Sequence, residues 1–515
     1  MTRGENRYLD TRSIMSETMS FTQAIVKGLA PGGGLLVPER IPALELDDIL
    51  ALAQMPYHER AAYIYKRFDT DIVDTDIDGL MEQIYSANFD DPAIAPIREV
   101  APGRHVMELW HGPTSAFKDM ALQCLPVFFS RAVDLLREKG EATEDFLVLV
   151  ATSGDTGKAA LEGFRDRAHT RIMVFYPKGG VSDIQFKQMA TQLGSNVYVL
   201  GGHGDFDDCQ TSVKQTFNDA AFAEKLKAEH NVKLSSANSI NWGRLLPQIV
   251  YYVSAYAQMV ADGSVKAGDP IDICVPTGNF GNILGAYYAK MMGAPIDRLI
   301  CASNINKVLT DFIETGVYDI RERKLILTPS PSMDILVSSN LERQLFELTG
   351  RDGERVRGWM ADLMSEGVFE VDPETHAKVR ELFAAGYTDN DTSLATIKQV
   401  FEEHGYLMDP HTAVAWNVVD RLAGENPVLI ASTAHWAKFG YDVFRALDGL
   451  PAGAALPEEL AGLTGVQLNR LIAERTGVDN IPAGLDALDD MELRFTESCD
   501  ATNAGVEAAV EQFLA

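Results

Sequence analysis

The sequence predicts an α/β protein in which mostly parallel β-sheets are flanked by helices, preceded by a mainly helical N-terminal region. From about residue 100, short apolar runs rich in β-branched residues alternate with glycine-rich turns and helical stretches. These runs are continuous rather than alternating in polarity, which is typical of strands buried on both faces of a parallel sheet. A chain of 515 residues is also too long for one compact core, so we expect two or three domains.

The predicted elements follow one another in a regular order. Residues 1 to about 95 are mainly helical in pattern, and the stretch from about 310 to 405 is helical and more charged, which indicates an elaboration of the α/β core. Strands with glycine turns, several of them followed by a helix, are predicted at 145–164, 171–180, 196–202, 271–293 and 427–444. Ligands of parallel sheets bind at the carboxyl ends of the strands, so the turns in these units are the places to look for a site.

Composition narrows the possible partners. Lys and Arg number 45 against 74 Asp and Glu, a formal net charge of -29. Such a surface repels nucleic acid and anionic membranes, so we expect neither as a partner. An anionic substrate would need a locally basic site.

The five cysteines are scattered without metal-ligand spacing, and no metal is expected. No apolar run is long enough to span a membrane and the first residues lack the apolar core of a signal peptide, so a cytoplasmic location is expected.

Two familiar motifs are matched only in part. "TSGDTGKAA" is similar to a nucleotide-binding P-loop, but Thr152 stands where glycine is needed and Ala159 where Ser or Thr is needed. "DTDIDG" at 74–79 begins like a calcium-binding loop, but Tyr85 replaces the bidentate glutamate. A nucleotide triphosphatase and a calcium site are therefore not expected.

Three turns can bind anions. In "PTGNFGN", Gly278 and Gly281 free the backbone N–H groups at a helix start, which suits a phosphate. "TSGDTG" is rich in hydroxyls and N–H donors and suits a small carboxylate, while Asp155 in it would accept a hydrogen bond. In "ANSINWGR", a second phosphate or sulfate site can form from Asn238, Ser239 and Arg244. Each turn alone is also compatible with simple helix capping.

Lys118 in "ELWHGPTSAFKDMALQ" has two interpretations. A lysine among apolar and small residues has its ammonium form disfavoured by desolvation, and the neutral amine is the nucleophile of Schiff-base chemistry. A lone lysine in such a stretch is more often a surface residue whose stem lies along apolar neighbours. The company of a phosphate turn and a carboxylate turn on one sheet favours the first interpretation, because these are the parts of a pyridoxal 5′-phosphate (PLP) enzyme.

Several longer segments point to one family. Along the chain follow "YLDTRS", "ELWHGPTSAFKDMALQ", "ATSGDTGKAA", "YPKGGVSDIQFKQM", "NSINWGRLLPQIVYY", "PTGNFGNILGAYYAK", "PSMDILVSSNLERQLF" and "DPHTAV". In identity and order they resemble the threonine synthases of the longer bacterial and fungal type, within the tryptophan-synthase-β-like (fold type II) PLP enzymes. The resemblance implies an N-terminal domain at 1–98, a large PLP-binding domain at 99–145 and 231–515, and a small α/β domain at 146–230.

The resemblance also assigns roles to single residues. Lys118 matches the lysine that bonds the cofactor, and Thr433 matches the hydroxyl residue that faces the pyridine nitrogen. Asp155 is expected near the cofactor 3′-oxygen. The cofactor-binding set implied by the resemblance is completed by Phe117, Gly278, Asn279, Phe280, Gly281 and Asn282. One position departs from the family pattern, since Trp436 stands where a proline is expected three residues after Thr433.

The implied substrate is O-phospho-L-homoserine, which with water would give L-threonine and phosphate by γ-elimination and β-replacement. Its carboxylate is expected at the loop formed by Ser153, Gly154 and Thr156, and its phosphate at Asn238, Ser239 and Arg244. The chain is expected to act as a monomer or a homodimer. Two alternatives stay open: another fold type II lyase or dehydratase acting on a hydroxy- or phospho-amino acid, and an inactive PLP-binding homologue. The phosphate cluster argues against a dehydratase of an unphosphorylated substrate, and the intact Lys118 argues against an inactive homologue.

Overall fold

A computed structural model describes residues 5–152 and 154–515. Fifteen strands are present among these residues: β1 (Tyr8–Asp10), β2 (Leu36–Pro38), β3 (Ile97–Ala101), β4 (Arg104–Glu108), β5 (Asp145–Ala151), β6 (Thr170–Pro177), β7 (Val197–His203), β8 (Val232–Ser235), β9 (Ile271–Pro276), β10 (Ile296–Ser303), β11 (Val317–Asp319), β12 (Val368–Glu370), β13 (Phe383–Tyr387), β14 (Val428–Ser432) and β15 (Ser498–Asp500).

The same residues form twenty-two α-helices. They are α1 (Phe21–Lys27), α2 (Leu46–Ala51), α3 (Tyr57–Arg67), α4 (Asp74–Tyr85), α5 (Lys118–Leu122), α6 (Leu125–Glu138), α7 (Asp155–Phe164), α8 (Asp183–Ala190), α9 (Phe206–Asn218), α10 (Ala220–His230), α11 (Trp242–Ala261), α12 (Gly281–Met291), α13 (Val308–Thr315), α14 (Leu341–Leu348), α15 (Gly353–Glu366), α16 (Pro373–Leu382), α17 (Asn390–His404), α18 (Pro410–Leu422), α19 (Gly440–Asp448), α20 (Gly465–Thr476), α21 (Ala483–Asp486) and α22 (Asn503–Leu514).

The larger sheet has six strands in the order β13–β10–β9–β14–β4–β3. All neighbours in it are parallel except β3, which pairs antiparallel with β4 at one edge. Every residue of β9 and β14 is buried, as continuous apolar strands between two layers of helices require. The predicted mostly parallel sheet flanked by helices is therefore confirmed.

The second sheet has five parallel strands in the order β15–β7–β6–β5–β8. Residues of α7 and α8 contribute to the apolar core on one face of it, and residues of α9, α10 and α22 to the core on the other. Two of its strands, β8 and β15, lie outside the segment 146–230, and β15 returns to it from the C-terminal end of the chain. The boundaries of a small domain stay a prediction.

The N-terminal region is mainly helical, as predicted, with α1 to α4 and the short antiparallel pair β1–β2. It shares one apolar core with the larger sheet, in which the indole ring of Trp242 contacts the rings of Tyr8 and Phe68. The elaboration predicted at about 310 to 405 contains α13 to α17 and the antiparallel pair β11–β12. It also supplies β13, the edge strand of the larger sheet, which no pattern in the sequence indicated.

Cysteine and membrane predictions have simple outcomes. All five cysteines are free thiols, and four of them are buried. In the part of the chain that the structure describes, the longest apolar helices fall short of what a membrane crossing requires.

Candidate active site

The β9–α12 turn, Pro276–Asn282, opens towards the start of a helix. Phe280 has a left-handed backbone (φ 61°) and precedes α12 without offering a side-chain cap, so the first N–H groups of the helix remain available to a ligand. The amide oxygen of Asn282 accepts hydrogen bonds from the hydroxyls of Tyr251 and Tyr252 at 2.8 and 2.5 Å. Its amide nitrogen is buried and has no partner among the described residues. This turn therefore presents several donors and no charge.

Close backbone packing fixes the same turn. A Cβ on Gly278 would lie 2.5 Å from the carbonyl oxygen of Ser332, so a side chain at this position would displace the backbone. Asn279 is exposed, but its carbonyl oxygen accepts hydrogen bonds from the backbone and the side chain of Asn340 at 3.1 and 2.9 Å. The phenyl ring of Phe280 is buried against Phe383 of the edge strand β13.

The β5–α7 turn, Thr152–Gly157, follows a strand of the second sheet, so the prediction that the two turns share one sheet is wrong. The hydroxyl of Thr152 accepts hydrogen bonds from the N–H groups of Gly154 and Gly157 at 3.0 and 2.9 Å. Gly154 has a φ of 136° and packs so closely that a Cβ there would lie 2.4 Å from the side-chain amide of Gln185. Thr156, in the first turn of α7, is half-buried. Ser153, predicted to bind the substrate carboxylate, lies outside the described residues.

Lys118 is the first residue of α5 and lies between the two sheets' turns. Its Nζ donates a hydrogen bond to Oγ of Ser332 at 2.9 Å and lies 3.7 Å from a carboxylate oxygen of Asp155. Burial lowers the pKa of Lys118 to about 8, because desolvation and the charges of Lys438 and Arg244 outweigh the attraction of Asp155. The ring of Phe117 lies 5.3 Å from Nζ. The structure thus places Lys118 inside the protein as a lysine that loses its proton easily.

Asp155 is the anionic centre of this region. One carboxylate oxygen lies 2.9 Å from Nζ of Lys438 and accepts a hydrogen bond from Gln185 at 3.1 Å. Burial alone would raise the pKa of Asp155, but the charges of Lys438 and Lys118 outweigh that effect and hold the pKa well below its usual range. Asp155 is therefore a buried carboxylate with two ammonium partners.

Thr433 lies directly after β14, next to the segment that leads into α5. Its carbonyl oxygen accepts a hydrogen bond from the N–H of Phe117 at 2.8 Å, and the adjacent residues Ala116 and Ala434 form an antiparallel bridge. Trp436, the residue that departs from the family pattern, begins a short 3₁₀ helix with its indole buried and its Nε1 donating to Asn480 at 2.9 Å. The tryptophan is accommodated without separating Thr433 from the lysine segment.

The third predicted anion site is built at the start of α11. Arg244 is buried and its Nη1 donates to the carbonyl oxygen of Ala237 at 2.8 Å, while its Nε has no partner among the described residues. Burial lowers the pKa of Arg244 to about 10, so it stays charged at neutral pH. The hydroxyl of Ser239 donates to the side chain of Asn238 at 3.2 Å.

Asn340 links two of the predicted sites. Its side-chain nitrogen donates to Oγ of Ser239 at 3.3 Å as well as to the carbonyl of Asn279 at 2.9 Å. The loop before α11 and the β9–α12 turn are therefore neighbours. The structure brings Lys118, Asp155, Arg244 and both of these turns into one region between the two sheets.

Comparisons with known proteins agree over the whole chain. Residues 7–85 match the family described as threonine synthase N terminus, residues 105–433 the pyridoxal-phosphate dependent enzymes, and residues 412–510 the family described as threonine synthase, C-terminal. Threonine synthase of Pseudomonas aeruginosa is 38% identical over 463 residues, which are 89% of this chain and 93% of the relative. The chain belongs to the threonine synthase family.

Solved structures of the threonine synthase family support the same fold. A crystal structure of PLP-bound threonine synthase from Brucella melitensis superposes with a TM-score of 0.85 at 36% identity, covering 99% of both chains. The human protein threonine synthase-like 1 is 44% identical over 436 residues, which are 83% of this chain. The chain spans only 58% of the length of that relative. The fold type II architecture expected from the sequence is confirmed.

The residues of this threonine synthase family member fit PLP. A phosphate is bound by N–H donors, and the start of α12 and the amide of Asn282, which has no partner among the described residues, offer neutral ones. An aldehyde needs a neutral amine, which Lys118 supplies because burial lowers its pKa to about 8. Both features lie near Ser332, whose carbonyl oxygen approaches Gly278 and whose hydroxyl contacts Lys118.

Five polar residues at this site were not predicted from the sequence: Gln185, Ser332, Asn340, His411 and Lys438. Gln185 lies in "YPKGGVSDIQFKQM", and Ser332 and Asn340 in "PSMDILVSSN", segments quoted for their likeness to the family, while Lys438 lies in "ASTAHWAKF", which follows Thr433. In "DPHTAV", His411 accepts a hydrogen bond from the N–H of Ser332 at 3.2 Å and contacts Asp409 at 2.6 Å through its other ring nitrogen. The sign in the sequence that could have identified these residues was that they are polar residues within those segments.

Proposed function

We propose that this chain converts O-phospho-L-homoserine and water into L-threonine and phosphate with PLP as its cofactor. One observation carries the proposal: desolvation and the charge of a buried arginine, Arg244, act together to lower the pKa of the buried Lys118, and the Nε of that arginine has no partner among the described residues. Such a lysine is what an amino-acid enzyme of this family uses to hold its cofactor and move protons. Such an arginine is what a phosphorylated substrate requires.

Five groups of residues would hold the cofactor. Lys118 would bond to its aldehyde carbon with loss of one water, and the β9–α12 turn from Gly278 to Asn282 would bind its phosphate. Thr433 would face the pyridine nitrogen, Phe117 would line the site, and Asp155 would lie near the 3′-oxygen. When bound, PLP supplies an electron sink for negative charge that develops on the substrate carbon atoms.

Lys118 is proposed to serve also as the base that removes a proton from the substrate α-carbon and returns protons later. With a pKa of about 8, its amine is close to the value at which a group both accepts and donates protons near neutral pH. Its fixed place at the start of α5, with Ser332 as a hydrogen-bond partner at 2.9 Å, would supply the positioning on which such catalysis depends.

The substrate would be held at its two anionic ends. The start of α7, with Gly154, Thr156 and Ser153, is proposed to bind the carboxylate, because N–H groups at a helix start favour negative charge. Arg244, with Asn238 and Ser239, is proposed to bind the phosphate. A net charge of -29 opposes the approach of such a substrate, so a compact basic pocket has to provide its local attraction.

Product analysis tests the proposal directly. Purified protein supplied with PLP and O-phospho-L-homoserine should release threonine and phosphate in equal amounts. Release of phosphate with 2-oxobutyrate and no threonine would instead identify a fold type II lyase. Binding of PLP without any product would identify an inactive homologue.

A pair of lysine variants tests the role of Lys118. Lys118→Ala should lose the visible absorbance of the bound cofactor and all activity. The matched control is Lys158→Ala, which removes another largely buried lysine, one that pairs with Glu162 at 3.3 Å. Wild-type protein that stays colourless after addition of PLP would overturn the proposal. A cytoplasmic location and a monomeric or homodimeric state belong to the same proposal, and light scattering of the purified protein checks the latter.

A further inference from the structure

A second lysine lies beside the proposed catalytic one. The side chain of Lys438 is fully buried in the 3₁₀ helix that follows β14. Its Nζ lies 2.9 Å from a carboxylate oxygen of Asp155 and donates a hydrogen bond to the carbonyl oxygen of Thr114 at 2.9 Å. No role for it follows from the resemblance or from the proposed reaction.

The two lysines share one carboxylate unequally. Lys438 contacts one oxygen of Asp155 at 2.9 Å, whereas Lys118 lies 3.7 Å from the other oxygen and directs its hydrogen bond to Ser332 instead. Gln185 donates to the same oxygen as Lys438 at 3.1 Å. The short, fully buried ion pair is therefore Lys438–Asp155, and the pair with Lys118 is the looser one.

This inequality matters when Lys118 becomes neutral. A buried carboxylate whose only cation is removed is left uncompensated, which costs several kcal/mol. If Lys118 were the sole partner of Asp155, that cost would oppose every loss of its proton. Lys438 provides a cation that remains in place, so Asp155 stays paired whatever the state of Lys118.

We propose that Lys438 is a positioning residue that holds Asp155 as a fixed carboxylate through its own ion pair and thereby frees Lys118 to act as a neutral amine. The inference rests on the proposed role of Lys118. It adds to that role a residue that acts through Asp155 and that contacts neither Ser332 nor the β9–α12 turn in the hydrogen bonds of the described residues.

The surrounding charges act on Lys118 in opposite directions. The charges of Lys438 and Arg244 lower the pKa of Lys118, and the charge of Asp155 raises it. The charged and titratable groups that face this cluster come from five elements: Lys118 and Asp119 of α5, Asp155 and Lys158 of α7, Arg244 of α11, His411 of α18, and Lys438 itself. Removal of the Lys438 charge must therefore raise the pH at which Lys118 becomes neutral, and removal of the Asp155 charge must lower it.

Loading of the apoenzyme with PLP measures this pH. Wild type, Lys438→Met, Lys438→Arg and Asp155→Asn would be freed of cofactor and mixed with PLP from about pH 6 to about pH 10. The rate of the absorbance change, plotted against pH, gives the midpoint, which is the pH of half-maximal rate. Borohydride trapping followed by peptide mass spectrometry shows that the bond forms at Lys118. Lys158→Met is the matched control.

The variants are expected to shift the midpoint in different directions. Wild type should have a midpoint near pH 8. Lys438→Met should move it upward by about one unit, which is about a tenfold slower loading at neutral pH. Lys438→Arg, which keeps the charge, should restore most of the wild-type value. Lys158→Met should shift the midpoint far less than Lys438→Met, because the charge of Lys158 is paired with Glu162 at 3.3 Å. Asp155→Asn should move it downward.

Each outcome has a definite meaning. A midpoint in Lys438→Met equal to that of wild type, or one in Asp155→Asn that does not fall, would overturn the inference. Circular dichroism of each apoenzyme separates these results from loss of fold, and the Asp155→Asn arm decides alone if Lys438→Met does not fold. Trapping of PLP in Lys118→Ala at another lysine would overturn the proposed function. An unchanged midpoint in Lys438→Met together with no trapping in Lys118→Ala would overturn the inference alone.

Discussion

The β5–α7 turn and the β9–α12 turn follow corresponding strand ends on the two sheets, yet they differ in whether a threonine hydroxyl accepts hydrogen bonds from N–H groups of the same turn. In each, a threonine directly follows the strand and donates its N–H to the neighbouring strand, Thr152 to Phe175 and Thr277 to Ala302. The hydroxyl of Thr152 accepts two N–H groups of its own turn. The hydroxyl of Thr277 instead donates back to the carbonyl of Val275 at 2.7 Å.

The difference decides what each turn offers to a ligand. In the β5–α7 turn, two donors are already used and the first helical residue is the charged Asp155. In the β9–α12 turn, the helix start has no side-chain cap, and the neutral Asn282 has an amide nitrogen without a partner in the part of the chain that the structure describes. A strand, a glycine turn and a helix are therefore not enough to define an anion site. The direction of one hydroxyl and one side-chain charge separate a phosphate site from a site that also carries an anion of its own.

A charge placed in the β9–α12 turn should have the largest effect. Asn282→Asp keeps an oxygen that accepts from Tyr251 and Tyr252, but it places a carboxylate beside the proposed phosphate site. Two unit charges about 5 Å apart repel by about 3 kcal/mol at an effective dielectric constant of about 20, more than a hundredfold in affinity. We expect at least that loss in PLP affinity, measured by titration of the apoenzyme.

Asn282→Ser is the control for Asn282→Asp. It removes the amide donor without adding a charge, and a single lost hydrogen bond to a charged group costs about 1.5–3 kcal/mol. Its loss of PLP affinity should therefore be the smaller of the two. Equal losses in the two variants would show that the neutrality of the turn is unimportant.

Backbone packing gives the next largest effect. Gly278→Ala would place a Cβ 2.5 Å from the carbonyl oxygen of Ser332, and overpacking of this kind costs about 1–3 kcal/mol. We expect PLP affinity to fall by up to about a hundredfold. In Gly281→Ala the new Cβ would lie 3.5 Å from the side chain of Asn340, an ordinary contact, so the loss should be clearly smaller. A larger loss in Gly281→Ala would contradict the packing described for this turn.

Hydrogen exchange can show which ligand acts on which of the two turns. We propose that the segment around 146–230 moves towards the rest of the chain when substrate binds and excludes water from the site. A phosphonate analogue of O-phospho-L-homoserine, added to the PLP-loaded protein, should slow exchange in 150–205 by about tenfold. Addition of PLP alone to the apoenzyme should act mainly on 278–291. Unchanged exchange in 150–205 with the phosphonate would rule out such a closure.

Local sequence patterns predicted the turns well because each turn is a local structure. Continuous apolar strands, glycines and the start of α11 at Trp242 all follow from neighbouring residues. The partners across the site do not, because parallel strand order brings them together from distant parts of the chain. Lys438 reaches Asp155 only because β14 pairs with β4, which leads into the lysine segment, and because α7 faces that segment.

Edge strands were the other part of the fold that the sequence did not reveal. β15 is three residues long, "SCD", and only the free edge of β7 makes it a strand. β13 follows α16 without an intervening turn and is half-buried over most of its length. Such segments lack the continuous apolar pattern of β9 and β14, so their pairing depends on long-range contacts.

The two hydroxyls themselves are compared through the free energy of unfolding rather than through ligand affinity. Thr152→Val leaves the buried N–H groups of Gly154 and Gly157 without an acceptor, and each unsatisfied donor costs about 1–3 kcal/mol. Thr277→Val removes one donor from a carbonyl oxygen and should cost about 1 kcal/mol. We expect urea unfolding of the apoenzymes to show the larger loss in free energy of unfolding for Thr152→Val. Thr152→Ser should recover most of that loss because the hydroxyl returns. Equal losses at the two positions would mean that the hydroxyl of Thr152 does not satisfy its turn, and the contrast between an internally capped turn and an open one would fail.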